Sequence, residues 1–204
     1  MKGLLLKDIL NLKKQGKMYL ILIGFYLVFS IAMNNTSFFG GMVCILSAML
    51  PVTALSYDER AKWDKFALTM PVSRRDMVTS KYILGMSFSL LGVIIFFLCN
   101  LFTKVELSLN LTTSLVFFGL GILVLSLILP ILFKFGVEKG RILMMLIFFV
   151  PAGIIMLLPN LGVSFTRPSE NFLQMLTYAA PVVLIAIFVI SIMGSIKIYQ
   201  KKEI

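Results

Sequence analysis

Apolar residues run along this chain in long blocks, and its polar positions gather between them. Six blocks, residues 18–34, 38–57, 82–102, 111–133, 142–158 and 172–196, are each long enough to cross a bilayer; about 17–25 residues of helix span about 30 Å of hydrocarbon. Strict apolar-polar alternation, which a membrane barrel requires, is absent. Backbone in lipid must bond within its own segment, so the blocks predict helices. The expectation is an all-α integral membrane protein with six transmembrane helices in a single domain over residues 1–204. Only Asn34, Asn35, Thr36 and Ser37 separate the first two blocks, which predicts a tight antiparallel hairpin. There is no convincing internal repeat and no low-complexity segment.

Composition agrees with the blocks. The 204 residues are 59% hydrophobic and 14% charged, with no histidine, against about 45–50% and about 25% for soluble domains. Charge then gives a direction. Seventeen of the nineteen basic residues lie in the N-terminal lead-in, the segment before the third block, the loop after the fourth, and the C-terminus; Lys104 and Arg167 alone lie on the other side. This positive-inside bias predicts a multi-pass protein of a cell membrane with both termini cytoplasmic. The net charge of +10 is therefore a topology signal and an attraction to membrane lipids. It does not point to nucleic acid, which would need a basic face on a soluble domain. In the lead-in, Leu5, Leu6, Ile9, Leu10 and Leu12 suit an amphipathic N-terminal interfacial helix on the inner leaflet; a solvated basic tail is the plainer alternative. Ser30, Ile31 and Ala32 form a small-x-small pattern, but seventeen residues are long for the leading part of a cleaved signal.

What the blocks lack narrows the function. Every ionisable residue falls in a tail, a loop or a span end. An ion-coupled carrier usually keeps a carboxylate, histidine or lysine at membrane depth, where its cost is tolerated only for use. Without histidine there is no Ser-His dyad and no His-ligated zinc, so no catalytic, cofactor-binding or metal residue is assigned. Cys44 and Cys99 match no metal spacing and are expected to pack as small residues. Ser47, Ser87, Ser89 and Ser126 are read the same way. Gly85, Ser89 and Gly92 mark a face for close helix packing, and Gly119 with Gly121 thins the next span. Pro51, Pro130, Pro151 and Pro181 each remove a helical hydrogen bond.

The segment 58–81 is the exception to the oily pattern, with ten of the twenty-eight charged residues and the one tryptophan. Helical spacing places Trp63, Phe66 and Met70 in a narrow arc, with Arg60, Lys62, Asp64 and Lys65 around it. Pro71 ends that helix. Ser73 and Asp76 then form a capping pattern that starts a second helix running into the third span. An ordinary solvated loop would have the same charge balance.

The run WDKFALTMPVSRRDMVTSKY, entering directly into a membrane helix, resembles the first cytoplasmic loop of bacterial ABC-2 type transporter permeases. It is especially similar to the small Firmicute exporters that include permeases for phenol-soluble modulins. In that pattern an aromatic-bearing helix is followed by LP-V-(S/T)-R, a charged residue, and a lysine before the next span. Met70, Pro71, Val72, Ser73, Arg74, Arg75 and Lys81 stand at those places, with Met for Leu. The resemblance implies a dimeric exporter permease, homo- or heterodimeric, moving amphipathic peptides or other apolar substrates. It implies a coupling helix that docks on a separate cytoplasmic ABC ATPase through Glu59, Arg60, Trp63, Asp64, Phe66 and Met70. Pro71, Ser73, Arg74, Arg75 and Asp76 would form the coupling turn and second helix. The chain has no GxxxxGK(S/T), so ATP and magnesium would belong to the partner. A non-transporting scaffold or sensor subunit and an ion-coupled carrier are the other readings. Whether Trp63 faces the ATPase or the membrane is left open by the residues.

Overall fold

A computed structural model describes residues 2–33, 35–67, 69–102, 106–157 and 170–202. They form α1 (Lys2–Ala32), α2 (Thr36–Arg60), α3 (Trp63–Ala67), α4 (Arg74–Phe102), α5 (Leu107–Phe135), α6 (Val137–Leu157) and α7 (Glu170–Lys201). No strand occurs among the described residues. Among the described residues, five helices are long and apolar enough to cross a membrane: α1, α2, α4, α5 and the Ala179–Lys201 portion of α7. The fifth predicted block falls on α6. Lys104 and Arg167, the two basic residues expected on the opposite side, lie outside the described residues.

The lead-in and first block are not separate elements. Residues 13–17, KKQGK, contain helix formers and one glycine but no proline, and a single glycine costs a helix only about 1 kcal/mol. α1 therefore runs unbroken for 31 residues, about 46 Å at 1.5 Å per residue. Its first turns do not rest solely on a leaflet. Leu4, Asp8 and Leu12, spaced by four, are buried against the protein, while Leu6, Ile9 and Leu10 face outward. The hairpin after α1 is as short as expected. Asn35 caps α2, its side chain accepting from the Phe38 amide at 3.3 Å, and Tyr19 pairs with Thr53 across the two helices at 3.2 Å.

Lipid tails are as apolar as leucine, so burial alone does not drive these helices together; close approach and interhelical polar bonds do. Gly85, Ser89 and Gly92 are all buried on α4. A Cβ on Gly85 would press on Leu125 of α5 and Pro51 of α2, and one on Gly92 would meet Val43 and Ser47 of α2. Ser89 sits where Gly121 of α5 leaves room. Within the bundle, Tyr82 Oη lies 2.6 Å from Ser191 Oγ and 2.8 Å from Ser195 Oγ, and Ser191 in turn donates to the Ser126 carbonyl at 2.6 Å. These bonds join α4, α5 and α7. At the far end of α4, Asn100 Nδ2 donates to Asn110 Oδ1 at 3.0 Å, joining α4 to α5. Pro51, Pro130 and Pro181 lie inside continuous helices. Cys44 and Cys99 are free thiols, and Ser47, Ser87 and Ser126 bond back to carbonyls four residues earlier.

Candidate functional site at the polar end of the bundle

The segment 58–81 folds as two helices, but its break falls earlier than Pro71 alone would put it. α2 ends at Arg60, and Lys62 takes φ 49°, the left-handed conformation that usually follows a helix cap and usually falls to glycine. α3 then has only five residues. The expected common arc of Trp63, Phe66 and Met70 is therefore divided. Trp63 and Ala67, four apart, turn inward, Ala67 fully buried and Trp63 half-buried against the core around Met77, Val78 and Tyr82. Phe66 is 61% exposed and Met70, in the turn beyond α3, is 48% exposed. Trp63 thus packs on the protein itself, and the outward apolar surface is Phe66 and Met70.

The second helix starts by the predicted device. Ser73 Oγ accepts from the Asp76 amide at 3.1 Å, and Asp76 Oδ2 accepts from the Ser73 amide at 3.4 Å, a reciprocal cap of two otherwise orphan donors. Arg74 follows, its Nη1 donating to the carbonyls of Tyr199, Gln200 and Lys202 at 3.3, 2.7 and 3.1 Å. A cation at the last carbonyls of α7 also suits the negative end of that helix's dipole. Asp64 receives Lys202 at 3.4 Å. Glu59 is exposed, and its Oε2 accepts from the Val137 amide at 2.7 Å, capping α6. Gly136, with φ 79°, makes that approach possible, since a Cβ there would press on the Glu59 carboxylate. Arg60, Pro71 and Arg75 are exposed.

Beneath α3 lies a charged cluster that counting basic residues does not reveal. Lys81 Nζ donates to Asp8 Oδ2 at 2.7 Å and to Asp58 Oδ2 at 2.6 Å; Lys7 Nζ lies 2.5 Å from Asp58 Oδ1 and 3.3 Å from Asp8 Oδ1. Asp8, Lys81 and Asp58 are 1%, 5% and 7% exposed. Two cations and two anions make a neutral quartet tying α1, α2 and α4 together. Lys7 also sits 4.3 Å above the Trp63 ring centroid, so α3 rests on the same cluster through a cation–π contact. The Asp8 Oδ1 and Trp63 Nε1 atoms are buried without a hydrogen-bond partner among the described residues; for Oδ1 the Lys7 ammonium supplies charge but not hydrogen-bond geometry. Both residues line one cavity of about 40 Å³, enough to admit water. Asp8, an acid spaced four from both Leu4 and Leu12 in a basic lead-in, was the sequence signal for this cluster.

No group of three or more metal-ligating side chains occurs among the described residues. The arrangement is mechanical: an exposed apolar knob on a short helix, seated on a buried ionic joint that reaches three long helices. The description ABC-2 family transporter protein matches residues 3–200. The chain belongs to this ABC-2 family. Neither the curated proteins nor the solved structures contain a significant match. Membership of the ABC-2 family makes the chain a membrane permease component of an ABC transporter, the transporting part rather than the catalytic one, and implies ABC ATPase subunits as partners.

Proposed function

We propose that this ABC-2 permease is the membrane half of an ATP-driven exporter in a bacterial plasma membrane. It pairs with a second permease subunit, crosses the bilayer six times with both termini in the cytoplasm, and moves amphipathic peptides or other apolar substrates outward. ATP and magnesium are handled by the separate ATPase, which docks on α3 and the turn to Pro71. The observation that carries this reading is the outward pair Phe66 and Met70 mounted above the Lys7, Asp8, Asp58 and Lys81 joint. Exposed apolar side chains on a polar protein end are anchors for a partner's groove, and the joint under them connects that partner to α1, α2 and α4. The exposed Arg60 and Arg75 add polar contacts, Asp64 ties α3 to Lys202 and Glu59 caps α6, and the spans, free of mid-depth charge, suit an apolar cargo.

The test is co-purification in mild detergent with a candidate ATPase, together with measurement of its ATP hydrolysis. Phe66→Ala with Met70→Ala is expected to abolish both association and the permease's effect on hydrolysis, with the permease still folded. Undiminished coupling in that double variant would sink the assignment of α3.

A further inference from the structure

A second feature lies on the opposite flank of α1. There α1, α2 and α4 enclose a groove of about 380 Å³, within the range of about 300–1,000 Å³ typical of small-molecule sites. Its walls are apolar side chains apart from three residues: Lys13, Tyr19 and Ser47. The Tyr19 hydroxyl is paired with Thr53 and the Ser47 hydroxyl with the Val43 carbonyl. The Lys13 ammonium meets no carboxylate among the described residues, and neither does Lys17 one turn further on, so an unpaired cation stands at one place along an otherwise oily trough.

Position along the helices gives the trough a direction. Lys13 lies toward the basic end of the bundle, and the groove continues from it to Ile23 on α1, with Val43 of α2 and Ile95 of α4 alongside. Ten residues of helix from Lys13 to Ile23 are about 15 Å, the depth of one leaflet in a hydrocarbon core of about 30 Å. Gly16 sits in the wall between, and a Cβ built there meets nothing within 4 Å. A cation at headgroup level and an apolar channel one leaflet deep match a single amphiphile with an anionic head.

We infer that this groove seats one acyl chain of an anionic phospholipid from the leaflet at the basic end, with its phosphate held by Lys13. The direction of the site rests on the positive-inside orientation; its existence does not depend on which ATPase binds or what is exported. Lys13 selects for the charge and the walls hold the chain, so head and tail are separable by mutation.

The intact permease in detergent micelles would be titrated with phosphatidylglycerol and, separately, phosphatidylcholine of equal chain length, and bound lipid counted by native mass spectrometry. The wild-type chain is expected to hold phosphatidylglycerol about fivefold more tightly, the effect of one cation near a lipid surface. Lys13→Gln removes that preference while leaving phosphatidylcholine unchanged, and Lys197→Gln, a charge removed elsewhere, changes neither. Gly16→Leu fills the trough and lowers retention of both lipids at least tenfold; Leu20→Trp, from the same wall, does the same should Gly16→Leu fail to fold. Equal retention of the two lipids by the wild type overturns the inference. So does full retention by a folded filled-groove variant, or a filled-groove variant that keeps its lipid and instead loses its dimer, which would make the groove an interface between copies.

Discussion

Replacing Lys81 by Met removes the centre of the buried quartet. Lys81 touches two carboxylates at 2.7 and 2.6 Å; at an effective dielectric of about 20 each contact is a gross attraction of about 6 kcal/mol. Desolvation of the ions offsets most of it, and breaking a buried pair by deleting one partner typically costs about 3–5 kcal/mol. Lys7 remains 2.5 Å from Asp58 and 3.3 Å from Asp8, so the lower end, about 3 kcal/mol, is expected. The excess negative charge is the cause, and it can be removed. Lys81→Met combined with Asp8→Leu leaves Lys7 and Asp58 as a neutral pair, and the double variant should regain about 2 kcal/mol over Lys81→Met alone. Equilibrium unfolding in mixed micelles measures this, with Trp63, the sole tryptophan and a wall of the same cavity, as the fluorescent reporter. If the double variant is as unstable as the sum of the two single ones, the quartet is not a charge-balanced unit and the reasoning fails.

Three further outcomes follow from single contacts. Arg74→Ala uncaps α7 and should cost about 1–2 kcal/mol, with amide exchange accelerated locally at residues 199–202. Glu59→Ala removes the acceptor of the Val137 amide, so exchange at residues 137–140 should rise by the roughly fivefold that a loss of about 1 kcal/mol in capping implies. Tyr82→Phe leaves Ser195 Oγ without its hydroxyl partner and should destabilise by about 1 kcal/mol in micelles, the scale of interhelical polar bonds in membranes, without changing ATPase association.

Features set by neighbours in sequence are legible in the sequence itself. The apolar blocks located the long helices, Asn34 to Ser37 announced the hairpin turn, and Ser73 with Asp76 announced the start of α4, because length, turn chemistry and capping are local rules. The extent of α1 is not legible in this way, because the change from charged to apolar residues at position 18 is a change of surroundings, not of backbone. The shared arc of Trp63, Phe66 and Met70 requires a helix that reaches Met70, whereas α3 covers Trp63–Ala67; the left-handed turn at Lys62 before it has no glycine to betray it. Asp8 and Lys81 are 73 positions apart and Arg74 is 125 from Tyr199. Such pairings depend on which helix ends meet, and hydropathy does not rank those. The bond of Glu59 to the Val137 amide is hidden for the same reason, its partner being the first residue of a helix far along the chain.

One contrast among the helices bears on how force would travel. α2, α5 and α7, which surround α4, each carry a proline, whereas the 29 residues of α4 contain none. α4 is thus a stiff rod of about 44 Å among neighbours that can bend. Its far end is clasped by Asn100 to Asn110, and its near end carries the cap at Ser73, the clamp of Arg74 and the ion pairs of Lys81. A rod held at one end and pushed at the other is a lever with the asparagine clasp as its fulcrum. A tilt of about 5° would carry Arg74 about 4 Å over that length, while the clasp hardly moves. Opening at the two ends of the bundle would then be unequal by construction, large beneath α3 and small at the asparagines.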